Sequence, residues 1–247
     1  MLSFEKFSQE ILSTGDIDPD YLFYRRAQEI ISEDEVFDLI HLKLCVYKTE
    51  SELLIKYNGA KFEDVMYGAE RNKAKRSAAT TYRNIKRFHA GHTAQSFKKL
   101  TAGKTYAAFN RFVTQIGGIG AWASWKYADI LNKTLDFQIN FRPEDFIRGY
   151  EYPLKGLCLV SNRPEITSIY SDKKVFEADV EQLQKRLETI EGKYAGIFNP
   201  VNVAEYETLL CKYHSYRHSR YKPQEDLHKL RKIKENVKLK RFHEFIP

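Results

Sequence analysis

An all-α fold follows from three observations along this 247-residue chain. Apolar residues recur at helical rather than alternating spacing through most of it. Capping residues stand just ahead of those periodic runs. The pentapeptide Ile116-Gly117-Gly118-Ile119-Gly120 joins two of them, Thr105 to Gln115 and Ala121 to Leu135, as a hairpin between helices. Glycine suits that position because the chain can turn through positive φ there without a Cβ clash.

Taken in order, Asp18-Pro19-Asp20 sets a cap before a proline at the first helical position, opening a helix over Tyr21 to Ile31. Ser32 with Glu35, and Thr49 with Glu52, have capping-box spacing, and the second of these helices should stop near Gly59. Further helices are expected over 80–89, 93–101, 104–115, 121–135, 175–190, 201–213 and 223–236. Residues 156–161, Gly-Leu-Cys-Leu-Val-Ser, are the best short strand candidate. The stretch 150–174, with Pro153 and Pro164, reads as a short irregular insertion. The expected organisation is a single helical domain over 1–247.

The charge is +7, and its distribution says more than its size. Residues 68–104 carry ten Lys or Arg against one Glu, and residues 212–244 carry eleven against four acids. Two such blocks are the electrostatic footprint of a nucleic-acid binder, although solvated helix faces give the same count. No run of apolar residues is long enough to span a membrane. The first residues lack the basic-then-apolar order of a secretory signal. Cys45, Cys158 and Cys211 are odd in number and far apart, which points to a reducing, intracellular setting and away from a metal site.

Four groups of residues carry chemistry. Gly117, Gly118 and Gly120, with the helix N-terminus that follows, expose backbone amides suited to DNA phosphates. Arg71, Lys73, Lys75 and Arg76 crowd four cations into six residues, as a phosphate or pyrophosphate site requires. Trp122, Lys126 and Asp129 fall on one helical face, an aromatic wall with a cation and a carboxylate that could line a pocket for an extruded base. Trp125 reads as core. The block from Cys211 to Pro223 interleaves aromatics with cations: Arg217, His218, Arg220 and Lys222 suit DNA-backbone contacts. A neutral His214 could take a proton near pH 7. His214 and His218 lie one turn apart but have no third ligand at fitting spacing, so a metal is not expected.

The hairpin with Trp122, Ala123 and Ala128 resembles the helix-hairpin-helix DNA glycosylase superfamily. Asp18 to Tyr21, Gly68 to Arg71, Ile119 to Asp129 and the block from His214 to Asp226, in that order, resemble more narrowly the α-glutamyl/putrescinyl thymine pyrophosphorylases of phages, also called amino acid:DNA transferases. The resemblance implies a glycosylase-like helical fold and a part in thymine hypermodification. A separate kinase activates hydroxymethyluracil in double-stranded DNA as a pyrophosphate ester. The transferase then lets the amine of an amino acid or polyamine displace pyrophosphate, with no cofactor, in the host cytoplasm. Asp20 and Arg25 enter the expected pocket through the resemblance alone.

Lyase-type glycosylases carry a Lys just after the hairpin and an Asp about eighteen residues later. Here those positions hold Trp122 and Asn140, with Asp136 and Asp145 flanking the second. An Asn cannot stabilise a sugar cation as a carboxylate would, which suits an enzyme that keeps the glycosidic bond. Asp129, Asn140 and His214 stand equal as candidates for the catalytic partner. A monofunctional glycosylase on the same scaffold and a non-catalytic DNA-binding protein are the rival readings.

Overall fold

The computed structural model describes residues 1–142, 145, 151–162 and 203–247, without the side chains of Glu70, Asn72, Lys73, Glu151 and Val203. Among these residues the regular structure is helical, with one isolated bridge between Thr105 and Asn140. The expected helix at 175–190 lies outside the described residues. The chain divides into two compact units, Asp18–Asn140 with Leu227–Pro247, and Met1–Ile17 with Phe141–Asp226.

The larger unit contains α2 (Pro19–Ala27), α3 (Glu33–Val46), α4 (Thr49–Asn58), α5 (Ala78–Phe88), α6 (Ala94–Thr101), α7 (Tyr106–Val113) and α8 (Ala121–Leu135). Its axis is α3, buried continuously from Val36 to Val46 and packed by α4, α5, α6 and α8. A helix apolar on every side has to lie in the middle of its unit. The Ser32–Glu35 capping box starts it, with both reciprocal bonds formed. Asp18 caps α2 with Pro19 at its first turn, and Gly59 ends α4 in the left-handed region at φ +67°.

Two expectations fail here and in the smaller unit. Thr49 and Glu52 make no capping box: Lys48 holds the cap position without a side-chain bond, and Glu52 turns inward. The strand candidate 156–161 and the first part of the irregular stretch are helix, α9 (Glu151–Val160). Pro153 falls in its first turn, where no intrahelical N–H is missed. Leu154, Leu157 and Cys158 form its buried face. Gly156 lies so close to Leu210 that a Cβ would collide with the Leu210 carbonyl, which makes it a packing residue.

The smaller unit packs α9 on α10 (Val203–Arg217) and α1 (Phe4–Leu12) on α10. Tyr213 meets Phe4 and Phe7 at 5.1 and 5.3 Å, and Tyr216 meets Phe7 at 5.1 Å while accepting a bond from Leu2 N. Tyr213 is thus a core contact of this unit, and Tyr216 is half-buried beside it. Helix α11 (Glu225–Arg231) carries the boundary between the units.

Between α7 and α8 the glycine turn forms as expected. Gly118 adopts φ +96°. A Cβ there would strike Thr81 of α5, and Asn84 Nδ2 donates to Gly117 O at 3.0 Å. Gly117, Gly118 and Gly120 are exposed, and α5 beneath them carries exposed Arg83, Lys86 and Arg87.

Candidate active site

Four stretches that are distant in sequence converge at one end of α3. The start of α2 brings Asp20 and Tyr21, the end of α3 brings Lys43 and Tyr47, the segment after Gly68 brings Arg71, and α8 brings Trp122, Lys126 and Asp129. Gly68 is tied to the α3 terminus by its N–H to Val46 O at 2.9 Å, and Arg71 N bonds back to Gly68 O at 3.0 Å. That turn places the Arg71 side chain over α8.

Arg71 is 8% exposed, and its guanidinium carbon lies 5.9 Å from the ring of Trp122. Trp122 in turn meets Tyr47 edge-on at 5.0 Å. Among the described residues Arg71 makes no ion pair, and its Nε is buried without a hydrogen-bond partner. Burial pulls its pKa down, while Cys45 and Tyr67 beside it pull the other way. The Cys45 thiol is pushed up to about 12 by burial and supplies no charge near neutrality. A guanidinium stays protonated regardless. The result, among the described residues, is a buried cation without a paired anion against an aromatic face, an arrangement that costs several kcal/mol until an anion completes it.

Next to it stands a carboxylate-rich cluster. Lys43 is buried in the last turn of α3 and donates to Asp20 Oδ2 and, at 3.3 Å, to Thr49 Oγ1. It lies 3.9 Å from Glu52 and 4.8 Å from the centre of the Tyr47 ring. Burial lowers its pKa, but Asp20, Glu52 and Asp18 outweigh that and raise it. Glu52 is fully buried and accepts from the Tyr24 hydroxyl, and its Oε1 has no hydrogen-bond partner. Desolvation raises it to about 7 against the opposing pull of Lys43 and Tyr24. Three carboxylates therefore surround one ammonium.

Lys126 lies 3.9 Å from Asp129, and Asp129 accepts from the Tyr21 hydroxyl at 2.7 Å. Trp125 is fully buried against Tyr106 at 4.9 Å, as core. Tyr127, on the other side, bridges two stacked imidazoles, 2.8 Å from His41 Nε2 and 2.9 Å from His89 Nε2. A cavity of about 320 Å³ lies beside that pair, lined by Asp34, Asp38 and Lys86 among others, and none of the expected site residues lines it.

The remaining expected residues are placed elsewhere. Asn140 is exposed and engaged with backbone: its Nδ2 donates to Gly103 O at 3.1 Å, and its main chain bonds Lys104 and Tyr106. Arg25 donates to Lys133 O at 3.1 Å near the end of α8. Arg76 is exposed, and the side chain of Lys73 is not among those described. His214 is buried in the smaller unit, with the His218 ring 4.3 Å away and His218 Nδ1 donating to His214 O at 2.8 Å. Arg217, His218, Arg220 and Lys222 are exposed there. Sequence reasoning missed Lys43, Tyr47 and Glu52. The one available signal was a lone lysine inside Leu39-Ile40-His41-Leu42-Lys43-Leu44-Cys45-Val46.

Among the described residues no group of three or more His, Cys, Asp or Glu could hold a metal ion, and no helix is long and apolar enough to cross a membrane. A sequence profile of the family described as amino acid:DNA transferase matches residues 35–222. A glycinyltransferase of Pseudomonas phage PaMx11 is 24% identical over 263 residues, covering 93% of this chain and 89% of that protein.

Proposed function

The chain belongs to the amino acid:DNA transferase family, and from that premise we propose that it couples the amine of an amino acid to an activated thymine base in phage DNA. The substrate base is hydroxymethyluracil already converted to its pyrophosphate ester by a DNA kinase, and the setting is the host cytoplasm. In the transfer, the amine nitrogen bonds to the exocyclic carbon. The carbon–oxygen bond breaks with its electron pair leaving on pyrophosphate, and the nitrogen sheds a proton.

The buried guanidinium of Arg71 over Trp122, which makes no ion pair among the described residues, carries this reading. A base swung out of the duplex stacks on the Trp122 face beside Tyr47, and Arg71 receives the leaving pyrophosphate, with Lys73 and Arg76 following it in the chain. Pyrophosphate leaves readily, so positioning and charge neutralisation supply most of the acceleration. The exposed glycine turn over α5 serves as a helix-hairpin-helix grip on the DNA backbone. Arg217, His218, Arg220 and Lys222 add further phosphate contacts. Glycine is the first amine to test, because the phage relative is named for it; a polyamine is the second.

The test is direct. The protein is incubated with DNA bearing pyrophosphorylated hydroxymethyluracil and glycine, and the digested nucleosides are weighed. A glycine adduct with pyrophosphate release supports the proposal. Abasic sites would identify a glycosylase instead, and unchanged DNA that is nonetheless bound would leave a binding protein.

A further inference from the structure

Resting on the transferase reading, we propose that Asp20 is the carboxylate that receives the incoming ammonium and takes its proton, and that buried Lys43 and Glu52 hold it in position. Asp20 is the solvent-facing member of the cluster: its side chain is 21% exposed, whereas those of Lys43 and Glu52 are 1% and 0% exposed. Lys43 grips Oδ2 from inside. Among the described residues Oδ1 makes no hydrogen bond, so one oxygen is fixed and the other is presented.

Two further observations point to a cationic ligand. Asp18, Asp20 and Glu52 act together on the ammonium of Lys43, and their field outweighs its complete burial, so the cluster favours a cation. Glu52 Oε1 is also a buried acceptor without a donor, facing Lys43 at 3.9 Å. Lys43 lies over the Tyr47 ring, Tyr47 meets Trp122 edge-on, and Arg71 lies over Trp122, so two aromatic rings link the cluster to Arg71. A base held beside those rings would have the Asp20 carboxylate for the nucleophile and the Arg71 guanidinium for the leaving group. The ammonium first gives one proton to Asp20 Oδ1, which frees the nitrogen lone pair; the nitrogen then bonds to the exocyclic carbon as the electron pair of the broken carbon–oxygen bond leaves with pyrophosphate, and the product nitrogen is a secondary ammonium. Lys43, held by Glu52, Thr49 and Asp20, touches no substrate and is a positioning residue.

The test uses full-length protein with glycine as probe. Saturation transfer to the glycine methylene protons is measured first, for wild type, Asp20→Asn and Arg71→Ala. Transfer seen in wild type and Arg71→Ala but abolished in Asp20→Asn is expected. No transfer in wild type, or undiminished transfer in Asp20→Asn, overturns the amine site whether or not the protein proves to be a transferase. On activated DNA, Asp20→Asn should lower turnover about a hundredfold and raise the KM for glycine, with DNA affinity unchanged within twofold. Its turnover should recover as pH rises toward the pKa of the free amine, since deprotonated glycine needs no base. Arg71→Ala should show no such recovery. Asp20→Glu, which keeps the charge, guards against a folding defect and should retain most glycine binding. A pH profile for Asp20→Asn parallel to wild type would overturn the base role.

Discussion

The Arg71 guanidinium lies 5.9 Å from the Trp122 ring with no carboxylate paired to it among the described residues. In a protein interior a lone cation is retained at a cost, and the cost is recovered when an anion arrives. Arg71→Ala should therefore stabilise the free protein or leave it unchanged, while depressing transferase turnover by two or more orders of magnitude. Thermal melts with and without inorganic pyrophosphate check both halves: pyrophosphate should raise the melting temperature of wild type and not of Arg71→Ala. Equal shifts in both would place the anion site elsewhere.

Trp122 and Trp125 should separate cleanly. Trp125 is fully buried against Tyr106, so Trp125→Ala should cost roughly 3–5 kcal/mol of stability by urea unfolding. Trp122 is only partly buried. Trp122→Ala should cost about 1 kcal/mol or less, yet weaken binding of DNA with an extruded base by about 1–3 kcal/mol, the usual worth of a stacked base.

Much of this was legible in the sequence because it depends on local chemistry. Caps at Asp18 and Ser32, the stop at Gly59 and the shared face of Trp122, Lys126 and Asp129 all follow from helical spacing and turn preferences. The carboxylate cluster was not legible. Lys43 is hidden in an apolar helix, and its partners come from α2 and α4, so only tertiary packing defines them. Glu52 carried a misleading local signal: its spacing from Thr49 matches a capping box, but burial beside Lys43 and Tyr24 decides where it points. Pro153 suggested irregular chain and Gly156 opened a strand candidate, because the close approach of Gly156 to Leu210 within a helix cannot be read from composition.

Glu52 makes the pH dependence of stability testable. Its folded pKa of about 7 lies above the ordinary carboxylate value of 4.5 because burial disfavours the charge. Between those values the folded chain holds a proton that the unfolded chain has released. Stability from this group is thus present below pH 4.5, falls as pH rises to about 7, and is level above that. Glu52→Gln should remove this slope, so that the difference between wild-type and variant unfolding free energies changes by on the order of 3 kcal/mol across the window. A flat difference would mean that Glu52 is ionised throughout.

The imidazole pair under Tyr127 predicts the opposite slope. Burial holds His41 well below its ordinary value, helped by His89, and pushes His89 down to about 3. Both rings should therefore stay neutral in the folded state, with no proton NMR titration between pH 5 and 8. Their contribution to stability is full above about pH 6.5 and is lost as pH falls below it, where the unfolded chain binds protons that the folded chain refuses. Tyr127→Phe leaves two buried ring nitrogens without their shared partner and should cost roughly 2–4 kcal/mol.

The glycine turn supplies a paired test of fold against grip. Gly118 needs φ +96° and has Thr81 against the space a Cβ would fill, so Gly118→Ala is strained twice over and should cost about 1–3 kcal/mol. Gly120 caps α8 at φ −93° with open space around it, so Gly120→Ala should change stability by no more than about 1 kcal/mol, the usual loss at a cap position. If the exposed turn grips the DNA backbone, a methyl at Gly120 stands where the phosphate must approach. DNA affinity should then fall several-fold in Gly120→Ala despite intact folding, with a shallower dependence on salt. Unchanged affinity would move the grip to the exposed cations of α5 alone, since those remain in place when the turn is altered.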